Sequence, residues 1–120
     1  MAQNEQDDEQ AQKIITRMQT ASKQLNDNAE SVGKAKQIRE FASERRKNLL
    51  AQYVDADLPS TKAEQVARKN PEYLQKFDQL AAQSEDAEIV IAKDSATRHS
   101  FEAARSLLSF NRESLRQLEG

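Results

Sequence analysis

Val54-Asp55-Ala56-Asp57-Leu58-Pro59-Ser60 is the strongest interruption in a chain that otherwise reads as helix. Pro59 steers Leu58 away from helical backbone angles, and Asp55 and Asp57 hydrogen-bond locally in ways that favour turns. Shortly afterwards Asn70-Pro71-Glu72 combines an N-cap residue, a proline at the first helical position and an acid in the first turn, which together mark a fresh helix start. Between the breaks, Thr61-Lys62-Ala63-Glu64 has capping-box spacing, with Thr61 able to accept from the amide three residues on and Glu64 able to reach back. A chain that is helical on both sides of such a break turns once and returns. The punctuation therefore predicts an all-α antiparallel long-helix hairpin, coiled-coil-like, with a short connecting helix at about 61–69.

Working upstream, Ile14, Met18, Ala21, Leu25, Ala29, Val32, Ala35, Ile38, Ala42, Leu49 and Tyr53 recur at helical spacing within a helix of about 10–53. At 1.5 Å per residue such a helix is roughly 65 Å long. Gly33 is its weak point, either a tolerated surface glycine or a bend. Residues 1–9 are acidic and lack a basic segment followed by an apolar one. They read as a disordered, solvated tail and not as a secretory signal.

Working downstream, a helix of about 71–118 carries Leu74, Phe77, Leu80 with Ala81, Ala87, Val90 with Ile91, Phe101, Ala104, Leu108, Leu115 and Leu118 along one stripe. Asp94, Thr97 and Arg98 interrupt that stripe, and a polar stretch inside a seam is one way to set register. A second apolar row, Ile89, Ala92, Ala96, Ala103, Leu107 and Phe110, lies on an adjacent face. Two helices cannot bury both rows. The row is covered either by a second copy, giving a homodimeric helical bundle, or in part by the short helix around Val66.

Composition bounds the rest. With 37% hydrophobic residues, many of them alanine, and only 2 glycines and 2 prolines among 120 residues, the core is thin and the turns few. The chain has no cysteine, so disulfides and thiolate metal sites are excluded, in keeping with a cytoplasmic protein. The longest apolar runs fall far short of the roughly 20 residues a membrane span needs. The net charge of −2 conceals a basic middle, residues 34–76, between two acidic thirds. Lys34, Lys36, Arg39, Arg45, Arg46, Lys47, Lys62, Arg68, Lys69 and Lys76 would gather towards the turn end of the hairpin, a candidate contact for nucleic acid or an acidic partner.

Catalysis finds no foothold. The single histidine, His99, has Ala96 where a di-iron bundle would place a glutamate, so the paired Glu-x-x-His motif is absent. Glu85, Asp86 and Glu88 read as a solvated face, and glycines at 33 and 120 alone cannot build a phosphate loop. We therefore expect no enzyme, metal, cofactor or small-molecule substrate. The expectation is an interaction protein that presents a rigid helical surface to a protein partner, with nucleic-acid binding through the basic turn end as the alternative.

The segment Asn70-Pro71-Glu72-Tyr73 and the run Arg98-His99-Ser100-Phe101-Glu102-Ala103-Ala104-Arg105-Ser106-Leu107-Leu108 resemble patterns in small helical proteins encoded by bacteriophages and prophages. The resemblance covers roughly the last 50 residues. It implies a setting near recombination and replication genes, without assigning a reaction.

Overall fold

A computed structural model describes residues 2–119, with side chains described for residues 5–118. Three helices follow one another: α1, Ala2–Tyr53; α2, Ser60–Arg68; and α3, Pro71–Glu119. The long helices α1 and α3 pack antiparallel as a hairpin, and α2 connects them. The acidic stretch expected to be a disordered tail is helical from Ala2 onwards. Glu5 lies in the first turn, where the unpaired amides of a helix N-terminus favour negative charge.

Both breaks form where they were expected. Asp55 Oδ1 accepts from the Asp57 amide at 3.0 Å and the Asp55 carbonyl from the Leu58 amide at 3.2 Å, closing the turn after α1. Asn70 Oδ1 accepts from the Glu72 amide at 2.9 Å and caps α3. The capping box at Thr61 does not form. The helix begins at Ser60 with Pro59 as its N-cap residue and no side-chain cap, and the Pro59 carbonyl accepts from the Ala63 amide at 2.9 Å. Proline fixes the entry angle, so the helix starts before Thr61 can take the capping position.

The chain divides into two compact units, Ser31–Ile91 and Met1–Glu30 with Ala92–Gly120. The first holds the end of α1, all of α2 and the start of α3. Its buried residues are Val32, Ala35 and Leu49 from α1, Ala63 and Ala67 from α2, and Tyr73 and Ala87 from α3. Tyr73 packs edge-on to Tyr53 with centroids 6.0 Å apart and lies 5.9 Å from Phe77, an aromatic cluster beside the turn. Lys76 Nζ stands 5.4 Å from the Tyr53 ring centre and 3.4 Å from Glu72 Oε1, and Tyr53 first and Glu72 second raise its pKa above the ordinary lysine value.

The seam is phased one residue away from the expected one at the start of α3. Tyr73 is buried while Leu74 is 45% exposed, and Ala81 is exposed as well. Phe77, Leu80, Ser84 and Ala87 face inwards, so the inward position one turn before Phe77 is Tyr73. Ala29 and Leu118, also read as seam residues, are exposed.

Gly33 lies within α1 without interrupting it: it is helical and exposed, has no positive φ, and nothing lies within 4 Å of where a Cβ would stand. Gly33→Ala is therefore expected to stabilise the protein by about 0.5–1 kcal/mol through reduced unfolded-chain entropy. Urea denaturation followed by circular dichroism should show a higher midpoint, and a lower one would mean that a close approach had been missed.

The second unit has a thinner interior. Ala21 from α1 and Ala104 from α3 are its buried residues among those described. Ile14, Met18, Leu25, Phe101, Leu108 and Leu115 are only half-buried. The expected polar interruption is present here. The Asp94 side chain is 8% exposed and accepts from Arg98 Nε at 2.9 Å, while Thr97 Oγ1 donates to the Lys93 carbonyl at 3.0 Å. Arg17 Nε donates to Ser100 Oγ at 3.1 Å, tying α1 to α3.

Candidate interaction faces

All six members of the second apolar row are exposed. Ile89, 45% exposed, belongs to the unit Ser31–Ile91. Ala92, Ala96, Ala103, Leu107 and Phe110 belong to the other unit. There they share one face of α3, roughly 125° around the helix from the inward row Thr97, Phe101, Ala104 and Leu108. Leu107 is 49% and Phe110 73% exposed. The face combines bulky residues at one end with small ones at the other. Val66 is itself 52% exposed, and α2 buries Ala63 and Ala67 instead. The short helix thus turns its alanines inwards and adds its valine to the exposed apolar surface.

The ten basic residues of the middle third all fall within Ser31–Ile91. The same unit holds ten acidic residues: Glu40, Glu44, Asp55, Asp57, Glu64, Glu72, Asp78, Glu85, Asp86 and Glu88. It is therefore neutral overall. Asp78, Glu85, Asp86 and Glu88 belong by sequence to the last, acidic third, but they share this unit with the basic stretch of α1. Arg39 forms a two-pronged ion pair with Glu88. Hydrogen bonding between the two holds the Glu88 carboxyl below its ordinary pKa and raises that of Arg39. Arg45 Nη1 lies 3.5 Å from Gln83 Oε1 and Lys76 is engaged by Glu72. Lys36, Arg46, Lys47, Lys62, Arg68 and Lys69 are exposed around this unit; Lys34 is exposed too.

An open groove of about 640 Å³ in this unit is lined by Arg45, Lys76 and four side-chain amides, with Leu49 and Leu80 among them. It offers hydrogen bonds and positive charge without a nucleophile or an acid–base pair. His99 is exposed, and among the described residues no group of three histidines or carboxylates could hold a metal ion. Among the same residues no helix is long and apolar enough to cross a membrane.

One feature escaped the sequence reading. Arg98, Arg105, Arg112 and Arg116 follow one another at steps of seven, seven and four on α3 and are all exposed. Counting charge by thirds concealed them, because the last third is acidic in sum. Counting by helix face reveals the row.

The chain matches no family model, no curated protein and no solved structure.

Proposed function

We propose that this chain is a non-enzymatic helical assembly protein, pairing with a second copy through the α3 face Ala92, Ala96, Ala103, Leu107 and Phe110 to build a bundle that presents rigid helices to a protein partner. The carrying observation is the thin interior of the unit that bears this face. Where alanines are the only buried residues among those described and a phenylalanine is 73% exposed, the favourable burial that holds a fold together is unfinished.

Surface area supports a second copy as the occupant. The chain exposes 9460 Å², whereas a compact monomer of its mass exposes about 6,600 Å². The excess of about 2,900 Å² exceeds the roughly 800 Å² per partner that a standard stable interface covers. The face also supplies what two copies of one helix need when they cross antiparallel: Leu107 and Phe110 of one can sit over the small Ala96 and Ala92 of the other. Multi-angle light scattering is expected to give twice the chain mass of 13.6 kDa. A monomer at concentrations well above the micromolar range would refute this reading.

A further inference from the structure

We infer that the arginine row of α3, Arg98, Arg105, Arg112 and Arg116, is a docking strip for the phosphate backbone of a nucleic acid, separate from both the apolar face and the basic middle of the chain. Steps of seven and four keep the four side chains on one face of the helix, about 27 Å from first to last. That face is turned roughly 160° from Leu107 and Phe110, so occupying one does not cover the other. The inference is thus independent of dimerisation.

Two observations set this row apart from an ordinary solvated face. The first is that three of its four cations, Arg105, Arg112 and Arg116, make no ion pair among the described residues. Arg98 donates to Asp94 and stays 58% exposed, but no carboxylate among the described residues lies within 4 Å of Arg105, Arg112 or Arg116. Glu102 and Glu113 stand three residues from Arg105 and Arg116, where pairing along a helix is easily made, and they make none. A cation near a helix C-terminus is favourable in its own right, which accounts for Arg116 in the last turn. Arg98 and Arg105 stand too far from the end for that.

The second is the choice of residue. From Asp94 to the end of α3 every basic residue except His99 is arginine, whereas the unit Ser31–Ile91 mixes six lysines with four arginines. Arginine is the side chain whose planar fork grips phosphate or carboxylate through two parallel hydrogen bonds.

The neighbours of the row decide between those anions. Ser95, Glu102, Ser109 and Glu113 flank it, and no exposed apolar side chain interleaves with the arginines. A partner helix would need apolar contacts to bury, but a phosphate backbone takes arginine and hydroxyl donors alone. The acidic residues Glu5, Asp7, Asp8 and Glu9 of a second copy span only about 6 Å and cannot match the row. A polyanion charged along its whole length does.

Fluorescence anisotropy with a labelled 20-base-pair DNA duplex of arbitrary sequence, titrated with the full chain, tests this. Four phosphate contacts predict a slope of about −3.6 in log affinity against log salt, hence a loss of about a hundredfold between 50 and 200 mM. Arg105→Glu with Arg112→Glu should weaken binding at least tenfold at 50 mM salt with helicity unchanged, while Arg45→Glu with Arg46→Glu should not. Should charge reversal disturb folding, Arg105→Gln with Arg112→Gln removes the same contacts without repulsion. Absence of binding at 50 mM salt, or equal affinity of the Arg105/Arg112 variants, would overturn the assignment. So would binding of a polyglutamate peptide by a chain that ignores the duplex, which would make the row a site for acidic protein.

Discussion

Leu107→Glu together with Phe110→Glu is expected to convert the protein from dimer to monomer at micromolar concentration, read as a halving of mass in light scattering. Leu107 is 49% and Phe110 73% exposed in the single chain, so each has apolar area to lose to a partner. Covering a leucine or phenylalanine fully is worth about 1.5–3 kcal/mol. Both residues occur once per copy and an isologous interface uses each twice, so the loss exceeds about 4 kcal/mol, a factor of a thousand in the dissociation constant. Four carboxylates brought together in the same contact add repulsion. The hairpin itself should survive, because neither residue belongs to the inward row of α3. Val66→Glu, at a comparably exposed apolar residue on α2, is the control and should leave the mass unchanged. A double variant that remains dimeric would place the interface elsewhere.

Tyr73→Ala is expected to be the most damaging single truncation in the unit Ser31–Ile91, costing about 3 kcal/mol. Tyr73 is only 7% exposed and stands between Tyr53 and Phe77, so removing it leaves a void and ends both ring contacts. For a domain of this size the loss corresponds to a fall of roughly 10–15 °C in Tm. Leu74→Ala, one position on, removes a side chain that is 45% exposed and should cost less than about 1 kcal/mol. Thermal and urea unfolding of the two variants read the phase of α3 directly. If Leu74→Ala proved the more destabilising, the helix would be rotated by about a quarter turn from the arrangement described.

That pair of residues also shows where sequence reading succeeds and where it stops. The breaks were legible because proline and the aspartate and asparagine side chains act over a few bonds: Asp55 closes the turn and Asn70 caps α3 with hydrogen bonds to amides two or three residues away. The helix type was legible because period and composition are local as well. The phase of α3 at its start was not, since Tyr73 and Leu74 are both plausible inward residues and the choice falls to Phe77, Leu80 and Ala87 further along. The exposed row from Ile89 to Phe110 could be seen in the sequence because it exceeds what two helices can bury. Whether α2 would cover it could not, since that depends on which face of α2 meets the hairpin.

Charge followed the same division. Along the chain, the middle third is basic and its neighbours acidic. In space, the return of α3 carries Asp78, Glu85, Asp86 and Glu88 into the unit that holds the basic stretch of α1, where Glu88 meets Arg39, and that unit is neutral in sum. The arginine row, by contrast, lay on a single helix and was present in the sequence all along. Summation by segment hid it and summation by face recovers it.

By itself the sequence determined that two long helices form, where they break and that they return antiparallel, because those outcomes rest on backbone preferences and hydrogen bonds within a few residues. Only the tertiary structure decided which residue of a neighbouring pair faces inwards, which charges cancel and how little of the unit holding Leu107 and Phe110 is buried. Those depend on side chains far apart in the chain meeting across the seam, and their sequence separation carries no local signal.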